Sequence, residues 1–165
     1  TSDQVAPWAG SLEWKLVKLS GEVVDSGSVA VDLGSQESKQ VFARTFELSP
    51  AERRSTVFTC ELKQGSKAAG ACVTLFAPNK YLELADPQLK VETGGQDGKA
   101  VFTLSAASLA RFVELALEGA DVVFSDNYFD VVPGMPVQVS CPIPQGWSIG
   151  QVRENLRVKS LVDSF

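Results

Sequence analysis

Along this chain, segments with a period of two recur roughly every 8–12 residues, separated by glycine, proline and small polar residues. Alternation of this kind buries one face of a strand and wets the other. Many short, evenly spaced strands specify an all-β sandwich rather than a parallel α/β sheet. Ser11–Leu19 sets the pattern, with Leu12, Trp14 and Leu16 on one side and Glu13 and Lys15 on the other. A turn at Ser20-Gly21-Glu22 leads to Val23–Leu33, a second strand with a Ser-Gly irregularity, and Phe42–Leu48 reads as a third. Ser49-Pro50-Ala51-Glu52 carries a capping box with proline at the first helical position, so a short helical turn opens there. Thr56–Leu62 and Ala71–Phe76 form a hairpin across the loop Lys63–Gly70.

Pro78 and Pro87 interrupt the ladder pattern, and the chain divides there into domains 1–85 and 86–165. Leu89–Glu92 and Ala100–Ser105 are then a hairpin around Asp97-Gly98, with Gly94-Gly95 counted in the turn. Asp121–Val132 reads as one long strand, turned by Pro133-Gly134 and answered by Val137–Cys141. Ser148–Leu156 is a short helix with Ser148 and Gln151 in capping-box spacing, and Arg157–Val162 is a closing strand. Ser108–Leu117 satisfies both a helical face (Leu109, Phe112, Val113, Ala116) and a strand alternation, and periodicity does not separate them.

Composition narrows the chemistry. The 165 residues include no histidine, which removes Ser-His-Asp and Cys-His catalysis and imidazole-ligated metals. A net charge of −5 opposes nucleic acid and anionic membrane as partners, and no apolar run approaches the ~20 residues of a membrane span. Residues 1–10 lack the pattern of a signal peptide, and the start at Thr1 suits a mature fragment or a piece of a longer chain. The cysteines, Cys60, Cys72 and Cys141, match no zinc spacing. Three buried thiols are the plain expectation, and a Cys60–Cys72 bridge across the hairpin is the alternative. No cofactor is implied, and the compartment stays open.

The most polar-aromatic stretch is Phe124-Ser125-Asp126-Asn127-Tyr128-Phe129-Asp130. Asp126 and Asp130 as an acid/base pair would stand about 13 Å apart along a strand of 3.3 Å rise. That is too far for the ~5–9.5 Å of glycosidase carboxylates. Asp126, Asn127 and Asp130 are a thin set of oxygen ligands for calcium. The structural reading expects Asp126 and Asn127 to bond nearby backbone, with Tyr128 and Phe129 buried on opposite faces. Trp14 belongs to the core stripe, whereas Trp8 and Trp147 lie in Pro/Gly-flanked segments suited to stacking on a sugar or on another domain. Arg53-Arg54 reads as a solvated turn.

Taken with Pro133-Gly134, the stretch from Ser125 to Asp130 closely resembles the SDNYFDLLPG segment in the last Ig-like domain of β-mannosidase-type family 2 glycoside hydrolases. Phe76–Lys80, Leu84–Pro87, Ala110–Leu115 and Arg157–Asp163 resemble further segments of that region in the same order. Residues 11–85, with the Gly21 turn, resemble the preceding Ig-like domain less specifically. The resemblance implies two tandem Ig-like sandwiches and a strand for Ala110–Leu115. It also implies a first sandwich lacking its N-terminal strand, because the family has a strand ahead of the position of Ser2-Asp3. One short helix near the C-terminus completes the expected fold.

The implied parent is a retaining exo-β-mannosidase whose two catalytic glutamates lie on a barrel, so no catalytic residue is expected in this chain and no metal is implied. Expected partners are that barrel and the parent's N-terminal domains. The implied role is accessory: to support or shield the barrel. A module binding mannose-containing glycans through Trp8 or Trp147, a glucosaminidase-type parent and a free-standing Ig-like interaction protein are the alternatives. The parent's compartment would be lysosomal in an animal, and cytoplasmic, periplasmic or secreted in a microbe.

Overall fold

The structure is a computed structural model that describes residues 1–164. It divides into two compact units: residues Thr1–Lys18 with Glu22–Glu83, and Leu19–Gly21 with the chain from Leu84 on.

The first unit is built on one antiparallel sheet, in the order β2-β1-β3-β4. Its strands are β1 (Trp8–Lys18), β2 (Val23–Leu33), β3 (Thr56–Gln64) and β4 (Lys67–Leu75). Trp14 is its pivot, 4% exposed. Its ring stacks on Phe42 at 5.5 Å and Phe58 at 6.3 Å, tilts against Phe46 at 6.1 Å, and takes the Arg44 guanidinium 4.6 Å over its face. Offset and tilted rings at these distances are the arrangements their quadrupoles favour. The indole also lies across Gly27, its register partner on β2, where a Cβ would come within 2.7 Å of the ring. The Ser-Gly irregularity expected in β2 is therefore space for Trp14, not a break in pairing. The register shift falls between Leu16 and Val17 instead, and both of these residues are buried.

Phe42–Leu48 is not a strand. Residues 34–49 carry no ladder, and they cover the inner face of the sheet with Val41, Phe42 and Phe46. The alternation of that segment is real, but alternation reports which side chains face a core and not whether a neighbouring strand exists. Among the described residues the first unit is thus one four-stranded sheet with an irregular segment over its inner face. The capping box of α1 (Pro50–Ser55) forms: Ser49 Oγ accepts from Glu52 N, and Glu52 accepts from Ser49 N at 2.8 Å. The expected eight-residue loop Lys63–Gly70 shrinks to Gly65-Ser66, because the ladder runs from Lys63↔Ala68 to Gln64↔Lys67.

The second unit packs two three-stranded sheets face to face, β5-β6-β9 and β10-β7-β8. The strands are β5 (Lys90–Gln96), β6 (Lys99–Ser105), β7 (Ala110–Leu117), β8 (Phe129–Val131), β9 (Val137–Pro142) and β10 (Leu156–Lys159). Ala100, Phe102 and Leu104 from one sheet meet Val113, Leu115 and Val131 from the other in a single core. The ambiguous segment is a strand: its alternating Val113, Leu115 and Leu117 are buried. Gly94-Gly95 belongs to β5, and Asp97-Gly98 alone turns the hairpin, both residues at positive φ. Helix α2 (Ile149–Asn155) has the predicted capping box and inserts Val152 into the core. Arg157–Val162 is shorter as a strand than expected, and the chain enters a 3-10 turn at Leu161–Ser164.

Candidate functional site

The segment from Asp121 to Val132 departs most from its sequence reading. Only Phe129–Val131 is strand, and residues 121–128 run irregularly. Without a ladder, their backbone partners on both sheets would be orphaned, and a buried orphan costs about 1–3 kcal/mol. Side chains fill the gap. Ser125 N donates to Ser140 O at 2.7 Å, while Ser125 Oγ accepts from Ser140 N at 2.9 Å. Ser125 therefore satisfies β9 as a strand neighbour would. Two residues on, Asn127 does the same for β7: its Oδ1 accepts from Leu115 N at 2.8 Å and its Nδ2 donates to Leu115 O at 2.9 Å. The carboxamide, with one donor and one acceptor side by side, reproduces a peptide group's edge. Ser125 and Asn127 thus tie one segment to both sheets of the sandwich.

The remaining motif residues orient this tie. Asp126 Oδ1 accepts from Asn127 N at 2.8 Å, as an Asx motif does. Asp130 Oδ1 accepts from Phe112 N at 3.2 Å and lies 3.0 Å from Arg111 Nε, whose N–H is not aligned on it. Arg111 is 8% exposed, and its guanidinium lies 4.7 Å over the Phe112 ring. Asp126 is thus bonded to its neighbour's backbone, and Asp130 to that of Phe112 while facing Arg111. Pro133-Gly134 makes the turn closed by Met135 N to Val132 O at 3.0 Å, with Gly134 at φ +77.

Tyr128 corrects its expectation. It is 61% exposed, not buried, and only Phe129 packs against the core. Its φ of +62, and +49 at Phe112, are unusual for aromatic residues. Tyr128 N donates to Val113 O at 2.8 Å, which holds this conformation, and its hydroxyl donates to Glu114 Oε1 at 3.1 Å. That bond, with the Glu114 charge, pushes the phenol above its ordinary pKa. Phe112 and Tyr128 line a shallow hollow with Glu114, Lys159 and Asp163.

Trp8 is buried with Val31 and Leu33, its ring over Gly10, so it offers no open stacking face. Trp147 is partly buried against the core of the second unit. Of the three thiols only Cys141 is buried; Cys72 is exposed and Cys60 intermediate. Sequence reasoning missed Arg111, Ser140 and the Leu115 backbone as partners of the motif. The arginine inside the apolar run ARFVEL was the available signal, while backbone partners leave none.

Residues 1–81 match the family model of the mannosidase Ig/CBM-like domain. Residues 84–164 match that of the mannosidase Ig-fold domain. The chain belongs to the Ig-like domains of the mannosidase family. Both halves take the order that the resemblance to β-mannosidase-type family 2 glycoside hydrolases implies. No curated protein matches the chain significantly. Among solved structures, a β-D-mannosidase from Dictyoglomus thermophilum is similar over 95% of this chain and 19% of its own, at 17% identity and a TM-score of 0.80. An exo-chitosanase from Amycolatopsis orientalis is similar over 96% of this chain and 23% of its own, at 14% identity and a TM-score of 0.61. These likenesses concern the fold. The mannosidase Ig-like chain spans about a fifth of the length of these proteins.

Proposed function

We propose that this chain is the non-catalytic accessory region of a β-mannosidase-like glycoside hydrolase, supporting or shielding a catalytic barrel that removes terminal β-mannose from mannosides and oligosaccharides. The observation that carries this reading is the pair of family matches, one per half and in order, over nearly the whole chain. The candidate site agrees with it. Ser125, Asp126, Asn127 and Asp130 each accept from backbone N–H groups, and bonds of that kind serve architecture rather than turnover. The partners are then the barrel and N-terminal domains of the parent, a retaining exo-β-mannosidase in this reading. A glucosaminidase-type parent is the second reading, favoured by the likeness to the exo-chitosanase.

A tryptophan-fluorescence titration with manno-oligosaccharides, including a mannose–chitobiose trisaccharide, tests the accessory reading. It expects no saturable change, since Trp8 and Trp14 are buried and Trp147 packs against the core of the second unit. A saturable response would move the assignment to a glycan-binding module.

A further inference from the structure

Cys60 and Cys72 are register partners on β3 and β4, and their Sγ atoms are 2.9 Å apart. Directly opposed residues of an antiparallel pair have Cα atoms about 4.5–5.5 Å apart, inside the range a disulfide spans. The two thiols are unequal. Cys72 lies exposed on β4, the last strand of its sheet, while Cys60 is half-buried on an inner strand. Cys141 is buried in the other unit.

We propose that Cys60 and Cys72 are a redox-active dithiol that closes to a cross-strand disulfide by exchange with a small disulfide of the glutathione class, Cys72 attacking and Cys60 resolving. The thiolate of Cys72, its proton lost to water, attacks one sulfur of the small disulfide. The S–S bond breaks and the first small thiolate leaves. The Cys60 thiolate, also deprotonated to water, then attacks Cys72 Sγ of the mixed disulfide, and the second small thiolate leaves. Two cysteine thiols lose two electrons in all, and one small disulfide gains them as two thiols, which take up the two protons.

The order follows from access and acidity. Burial, then the hydrogen bond and charge of Cys72, push the Cys60 thiol up to about 12, so it does not begin the exchange. Once Cys72 is capped, its charge no longer opposes ionisation of Cys60, and the resolving sulfur is already in place.

The test incubates the whole chain with oxidised glutathione and reads intact mass after acid quench, followed by peptide mapping. The wild type is expected to lose about 2 Da reversibly, with a Cys60–Cys72 cross-link and no lasting adduct. Cys60→Ser is expected to stop as an adduct of about 305 Da at Cys72, and Cys72→Ser to react at least ~10-fold more slowly. A wild type that stops as the Cys72 adduct, or keeps both thiols free, overturns the proposal. That readout needs neither variant to fold, and the wild type's tryptophan emission confirms its own folded state.

Discussion

Asn127 makes three side-chain hydrogen bonds to backbone, two of them to the amide and carbonyl of Leu115. Asn127→Ala leaves both Leu115 groups without partners and is expected to destabilise the second unit by about 1–3 kcal/mol, read as a lower urea midpoint. Asn127→Asp keeps the acceptor, loses the donor and sets a carboxylate against Leu115 O, so it should not rescue the loss. Tyr128 makes a prediction in pH. Its folded pKa lies above the unfolded value, because Glu114 accepts from the neutral phenol. The contribution to stability is therefore full below the ordinary phenol pKa of about 10 and is lost as pH rises through the raised value. Glu114→Gln should bring the phenol's absorbance titration back toward the ordinary range. The sequence made Asn127 legible as a residue that bonds backbone. It hid the partner, since every residue has the same N–H and C=O.

Strands whose alternation has a ladder on each side were legible almost to the residue, as β6 shows between β5 and β9, expected over Ala100–Ser105 and found over Lys99–Ser105. The failures share one cause. Phe42–Leu48 and residues 121–128 contain aromatic and β-branched residues, yet their backbone forms no continuous ladder with a neighbouring strand, and composition does not carry that distinction. Short helices were legible through their caps, and the caps differ in consequence. Helix α2 buries Val152 in the core, whereas α1 buries no residue. Ser148→Ala should cost about 1 kcal/mol of global stability in the second unit. Ser49→Ala removes an equivalent cap, but it should appear mainly as local amide exchange in α1, with little change in the unfolding midpoint.

At the scale of the molecule, the two-unit arrangement and the all-β class were both readable from turn spacing and the paired prolines. The family was readable only through the resemblance, because the motif's polar side chains bond mainly to neighbouring backbone, which no composition or spacing announces. The expected outcome is that the purified chain does not hydrolyse an aryl β-mannoside; release of the aryl group in proportion to purified chain would refute the accessory reading. The covering segment 34–49 has a further consequence. It is held by the stacking of Phe42 and Phe46 on Trp14 and by the Arg44–Asp25 ion pair, and no strand's register passes through it. Residues inserted or deleted between Leu33 and Val41 would therefore shift no ladder: they would disturb the bonds of Gln36 to Gln4 and of Ser2 to Glu37, while lengthening a connection by itself costs only about 0.6 kcal/mol per doubling. Length changes between relatives of the first unit should gather there, while the spacing from Phe42 to Phe46 stays fixed.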